Sequence, residues 1–210
     1  MKTRILSALI VCSLCYQANA GIISSVNAVS SSVTPTVETL TEGINVYHDR
    51  SPGHRMVNIP AEFEGDADVI ITSNSDKTRA DFQLEVTTNK LGILYVALDS
   101  RHRDLQPLPW MQDTSMTGLG SAFFNTGRQI DFDEGSTIDN AGDDLQEPFD
   151  LWAAIAPAGT YNFFEQNFGG GSNNYVIIAD NKLIAIPEPG SIALVLLGMA
   201  GIVARVRRRM

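Results

Sequence analysis

Beyond its first twenty residues, this sequence of 210 contains no cysteine: Cys12 and Cys15 are its only two, and neither follows the small residue that a lipoprotein leader requires. A chain processed down to a thiol-free body has no disulfide framework, no cysteine nucleophile and no zinc–thiolate site. Histidine is nearly as scarce, and His48, His54 and His102 stand at spacings that suit neither a metal triad nor a Ser-His-Asp relay. Gly169-Gly170-Gly171 is followed by Ser172-Asn173-Asn174 rather than the Lys-Ser/Thr of a phosphate loop, and reads as a flexible turn. Positive charge is thin as well. Between Gly21 and Ile186 there are nine Lys and Arg against 23 Asp and Glu, a net −14 where the whole chain carries −9. Such a surface repels phosphate backbones, so nucleic acid is not an expected partner.

What is present sits first at the two ends. Lys2 and Arg4, the apolar run Ile5 to Tyr16, and Ala18-Asn19-Ala20 have the three parts of an export leader, with Ala18 and Ala20 marking the cut by signal peptidase and Gly21 the expected new start. At the other end, Pro187 and Pro189 hold Pro187-Glu188-Pro189 extended. Ser191 to Ala204 then runs without a charge for 14 residues, which as a helix spans roughly 21 Å against about 30 Å of bilayer core. A run of this length is elsewhere a core helix. Here it is closed by Arg205, Arg207, Arg208 and Arg209, which snorkel and favour the cytoplasmic side, so a short transmembrane helix over about 190–204 is expected, with everything before it outside.

Pro-Glu-Pro, a short apolar helix and terminal arginines, in that order, resemble the PEP-CTERM sorting signal. The resemblance implies recognition by an exosortase, a membrane cysteine transpeptidase of Gram-negative bacteria. The chain would pass through an inner-membrane intermediate held transiently by its C-terminal helix, and then reach the cell surface or extracellular matrix. Glu188 acquires no catalytic role from it.

The implied organisation is a leader (1–20), a Ser/Thr-rich spacer or frayed first strand (21–42), one globular domain (43–185) and the sorting signal (186–210). In the domain, strand-like runs recur: Asp68 to Thr72, Phe82 to Thr87, Ile93 to Asp99, Gln129 to Phe132, Phe149 to Ile155, Thr160 to Gln166 and Tyr175 to Ala179. Phe82, Leu84 and Val86 alternate with Gln83, Glu85 and Thr87, the pattern of a strand with one wet face. Ile93 to Leu98 is apolar at both parities, which predicts a central strand covered on both sides. Pro157-Ala158-Gly159 reads as a hairpin turn between its flanking strands. No helical period is sustained, and the fold class expected is all-β, a single β-sandwich or jelly roll.

His48-Asp49-Arg50, Ile59-Pro60, Gly65-Asp66-Ala67-Asp68-Val69-Ile70, Asn74-Ser75-Asp76-Lys77, Leu94 to Arg101 and Leu108-Pro109-Trp110-Met111 occur in the order of an accessory β-sandwich module. That module is similar to those of secreted polysaccharide-active enzymes and envelope proteins, and it brings no catalytic residues with it.

For a sugar ligand the best aromatic platform in the sequence is Trp110, with Arg101, Arg103 and Asp104 nearby as polar partners. The competing reading, favoured by its apolar neighbours, makes Trp110 a core residue. The acidic stretch from Asp131 to Glu147 offers Asp131, Asp133, Asp139 and Asp143 as candidate calcium ligands, but its spacing fits no EF-hand and a solvated acidic loop suits it better. No other cofactor is implied. The sequence thus points to a non-enzymatic exported protein that binds or associates with exopolysaccharide. A hydrolase with an unrecognised carboxylate pair and a protein-binding module with an exposed strand edge are the alternatives.

Overall fold

The computed structural model describes residues 21–50, 53–135, 146–166 and 171–182. Three strands form a small antiparallel sheet: β1 (Ile23–Val29), β5 (Gln83–Thr88) and β9 (Gly159–Phe164), with β5 in the middle. Seven form a large one: β2 (Thr36–Thr39), β3 (Arg55–Val57), β4 (Asp68–Ile71), β6 (Gly92–Asp99), β7 (Phe124–Asp133), β8 (Gln146–Ala156) and β10 (Val176–Asp180). Their spatial order is β2-β4-β10-β6-β8-β7-β3, every neighbouring pair antiparallel. The protein is an all-β sandwich, as its alternation of apolar residues predicts. Helix is confined, among the described residues, to 3-10 turns and two single-turn helices, α1 (Pro109–Gln112) and α2 (Thr114–Thr117). Asp113 caps α2 by accepting from the Ser115 and Met116 N–H groups, and Gly118 ends it at φ 78, a left-handed conformation that costs glycine little.

Two cores explain the burial pattern. Leu94, Val96 and Leu98 of β6 pack with Leu84 and Val86 of β5 and Phe163 of β9, between the sheets. Ile93, Tyr95 and Ala97 face the other way, against Leu40, Val46, Tyr47 and Phe63 of the long connections around β2 and β3. The large sheet is therefore covered on both sides, and every residue of β6 is buried. The small sheet is covered on one, so β5 alternates: Leu84 and Val86 are buried while Glu85 is exposed.

Of the two readings of segment 21–42, the structure has the strand and not the spacer: β1 pairs with β5 from Ile23↔Thr88 to Val29↔Gln83, and β2 pairs with β4, so this segment belongs to both sheets. Another expectation is corrected: Pro157-Ala158-Gly159 does not close a hairpin. β8 lies in the large sheet and β9 in the small one, so the turn carries the chain across the sandwich. Pro157 cannot donate to a ladder, and its carbonyl instead accepts from the Thr88 hydroxyl at 2.9 Å and the Tyr161 hydroxyl at 2.6 Å, which pins the crossing.

Candidate functional site

Antiparallel order brings the C-terminal ends of β4, β6 and β7 to the same rim as the N-terminal ends of β3, β8 and β10. The connections at this rim enclose a cleft of about 250 Å³ lined by Arg50, His54, Asn74, Lys77, Arg101, Glu134, Gly171, Ser172 and Asn173.

Its floor is a polar network. Asp99, the last residue of β6, is fully buried and accepts from the Arg101 backbone N–H at 3.0 Å, from Arg101 Nε at 2.9 Å, from Arg101 Nη2, and from the Asn173 N–H at 2.8 Å. Burial alone would raise the Asp99 pKa. The Arg101 guanidinium and the Asn173 N–H outweigh it and hold the carboxyl below its ordinary value. Hydrogen bonding to Asp99 in turn raises the Arg101 pKa. Glu134, just past β7, accepts from Arg101 Nη2 at 2.7 Å and from Asn173 Nδ2. Asn74 Nδ2 donates to Asn173 Oδ1 at 2.9 Å, and Asn74 Oδ1 accepts from the Asn174 N–H at 2.8 Å. Four segments far apart in sequence are thereby fixed to one another, the buried amides of Asn74 and Asn173 having satisfied partners.

Over this floor stand the cations. Lys77 Nζ donates to the Ser172 carbonyl, and its pKa is lowered by burial first and then by repulsion from Arg50 and Arg101. Arg50 lies 3.5 Å from Asp49, whose carboxylate accepts from the Asn74 and Ser75 N–H groups and the Ser75 hydroxyl. His54, at φ 71, packs its ring against Tyr47 and Phe132, and burial lowers its pKa, so it is neutral at pH 7. The lining thus presents three cations and Glu134, but Arg101 is matched by Asp99 and Glu134 and Arg50 lies beside Asp49, whereas Lys77 bonds a carbonyl rather than a carboxylate. A part-desolvated ammonium with a neutral partner is the group in this cleft best placed to meet an anion. Both carboxylates of the cleft are engaged: Asp99 is held below its ordinary pKa by Arg101, and Glu134 accepts from Arg101 and Asn173.

The predicted sugar platform is not assembled. Trp110 is 3% exposed. Its ring packs edge-on against Phe123 and Phe163 and tilted over Tyr175, and its Nε1 donates to the Glu165 carbonyl at 3.1 Å. An indole with both faces occupied has none to offer a sugar, so Trp110 is a core residue. Arg103 makes a bidentate pair with Asp150 at 2.8 and 2.9 Å on the outside of β8, and Asp104 is exposed on the turn beyond. Of the four proposed residues only Arg101 reaches the cleft. Of the candidate calcium ligands, Asp131 accepts from Asn58 Nδ2 at 2.9 Å and Asp133 Oδ1 from the Gly135 N–H at 2.7 Å. Asp139 and Asp143 lie outside the described residues, and among those described no three His, Cys, Asp or Glu side chains form a group able to hold a metal. The leader residues Ala18 and Ala20 and the C-terminal motif also lie outside them.

Asp99, Lys77 and Asn173 were not singled out by sequence as part of a site. Their signal was available only as short Asn/Asp/Ser clusters flanking strands, at Asn74-Ser75-Asp76 and Ser172-Asn173-Asn174, which turn chemistry explains equally well.

Fold and cleft together define an all-β sandwich whose polar rim opens to solvent. The chain carries in addition a recognised address: residues 185–209 match the PEP-CTERM protein-sorting motif, which makes this an exported protein recognised by an exosortase and processed at the membrane. The sandwich is similar to part of a beta-glucuronidase from glycoside hydrolase family 2, with a TM-score of 0.54 and 14% identity over 72% of this chain, which spans 14% of that enzyme's length. A glycoside hydrolase family 138 enzyme targeting pectin rhamnogalacturonan II aligns at a TM-score of 0.43 and 9% identity, over 78% of this chain and 17% of its own. No curated protein matches the sequence. Among the described residues no helix is long and apolar enough to cross a membrane.

Proposed function

We propose that this exported sandwich is a non-enzymatic binding protein of the cell surface or extracellular matrix, and that its ligand is a carboxylate-bearing unit of an acidic polysaccharide held in the Arg50–Lys77–Arg101 cleft. The observation that carries the reading is charge placement: in a segment with nine Lys and Arg against 23 acids, three of the nine converge on one concave surface. At physiological ionic strength the more distant acidic surface is screened beyond about 8 Å, and within the cleft the Lys77 ammonium, bonded to a carbonyl, is the charge that recruits an anion. About 250 Å³ falls just under the roughly 300–1,000 Å³ of drug-sized ligand sites, which suits one acidic sugar unit and excludes a long buried segment. Signal peptidase removes the leader and the exosortase the C-terminal signal, leaving a soluble domain.

Calorimetric titration of the processed domain with oligosaccharides containing uronic acid should show saturable binding and no turnover. Lys77→Gln removes a cation whose hydrogen bond is to a carbonyl, so it should weaken binding about tenfold at unchanged Tm. Reducing-end release abolished by a single Asp or Glu substitution would replace this reading with the hydrolase.

A further inference from the structure

We infer that cutting the leader before Gly21 creates a ligand for the protein's own sandwich: the new α-ammonium of Gly21 docks on the buried Asp68 carboxylate and fastens the start of β1, in the small sheet, to β4 of the large one.

Asp68 opens β4 at the rim opposite the cleft and is 8% exposed. Its carboxylate accepts from the backbone N–H of Ile23 at 2.8 Å and from that of Ile22, and the charge of Lys90 offsets its burial only in part. Burial accordingly holds the Asp68 pKa above 3.8, and the neighbouring Asp180 is raised for the same first reason. A buried carboxylate served by backbone donors is short of positive charge at neutral pH.

Gly21 lies directly against it. A Cβ at position 21 would overlap the Asp68 carboxyl group, far inside the 3.0 Å that Cβ contacts keep, so any larger residue here would have to displace that carboxyl. The α-nitrogen sits about 2.5 Å from that Cβ position, which puts it within roughly 4.5 Å of a carboxylate oxygen whatever its orientation. The terminus is held rather than frayed: Ile22 is 1% exposed in the core, its carbonyl accepts from the Asn89 N–H at 2.9 Å, and Asn89 Nδ2 reaches the Gly21 carbonyl at 3.5 Å. In the precursor, Gly21 contributes an uncharged amide. After the cut it contributes an ammonium with an ordinary pKa of about 7.7–8.0, the charge this site lacks.

The inference rests on the leader being cut between Ala20 and Gly21, and N-terminal sequencing of the exported protein settles that separately. The docking itself is tested on chains of fixed start. The chain from Gly21 to Met210 with a free amine should melt roughly 5 °C or more above the same chain acetylated at Gly21, and above one retaining Ala20. In the Asp68→Asn variant the free and acetylated chains should melt together. Equal Tm values with Asp68 present, or the same difference in Asp68→Asn, would overturn the proposal. Should Asp68→Asn fail to fold, acylation of the Gly21 amine at pH 8, followed by mass spectrometry, gives a second readout: it should be at least tenfold slower in the folded chain than in urea, and equal rates would also overturn it.

Discussion

The two rims of this sandwich each bury an aspartate at the end of a strand, and they treat it in opposite ways. At the cleft rim Asp99 closes β6 beneath the Arg101 guanidinium, and its pKa falls. At the far rim Asp68 opens β4 beneath two backbone N–H groups, and its pKa rises. Burial pushes both upward, so the difference is the cation. The cleft rim brings its own from two residues along the chain, which makes it self-sufficient as translated. At the far rim, on the inference drawn above, the Gly21 ammonium supplies the missing charge once the leader is cut.

The largest effects should come from the packing beneath the cleft rim. Trp110→Ala removes an indole with buried surroundings on every side and should cost about 3–5 kcal/mol in urea denaturation, whereas Trp110→Phe should fold and still bind the acidic oligosaccharide. Binding lost in a well-folded Trp110→Phe would restore the aromatic platform and weaken the contrast between the rims.

Next in size is Arg101→Met. It leaves Asp99 buried without its cation and should cost about 3 kcal/mol. Asp68→Asn in a chain that retains its leader should be neutral or slightly stabilising, because there the charge of Lys90 offsets the burial of the carboxylate only in part. If both substitutions cost the same, the rims do not differ as described.

The same contrast has a pH signature. The folded pKa values of Asp99 and Asp49 lie below the ordinary 3.8, so their stabilisation is present above about pH 4 and is lost as pH falls through the folded values. Asp68 and Asp180 are raised above 3.8, so their contribution is present below about pH 4 and is withdrawn as pH rises through the folded values. In the leader-retaining chain, Tm should therefore decline on the acid side through the cleft rim and on the neutral side through the far rim. Arg101→Met should flatten the first decline, and Asp68→Asn the second.

Much of this architecture was legible in the sequence. Alternation placed β4, β5, β6 and β10 to within a residue or two, and the double-sided apolar run of Ile93 to Leu98 is the strand buried on both faces. The strands that escaped are those whose burial carries no such pattern: β2 has all four residues exposed, β3 has three residues in all, and β1 is an edge strand of Ser, Asn and small apolar residues. The supposed hairpin at Pro157 failed for a different reason. A turn signal reports that the chain reverses, and which sheet receives it is decided by non-local pairing of β9 with β5. The cleft was hidden for the same cause. Asn74 and Asn173 meet 99 residues apart, and Arg101 was noticed for its neighbour Trp110, whose ring faces the core instead.

The smallest effect, and the finest probe of the cleft, concerns His54. Its ring lies between Tyr47 and Phe132, and its pKa is lowered by burial first, with Arg50 and Lys77 adding to the depression and Glu134 opposing it. At pH 7 it is neutral and adds no charge to the lining. An anion bound near Arg50 and Lys77 would favour the charged ring, so by linkage affinity should rise as pH falls below about 6.5 toward the folded pKa, while uronic carboxyls are still ionised. A single charge gained at a part-exposed position is worth about 1 kcal/mol, or close to fivefold in Kd. His54→Gln should bind with nearly wild-type affinity at pH 7.5 and show no such rise at pH 5. A rise that persists in His54→Gln would place the titrating group elsewhere, and a fall on acidification would mean that the cleft does not hold an anion.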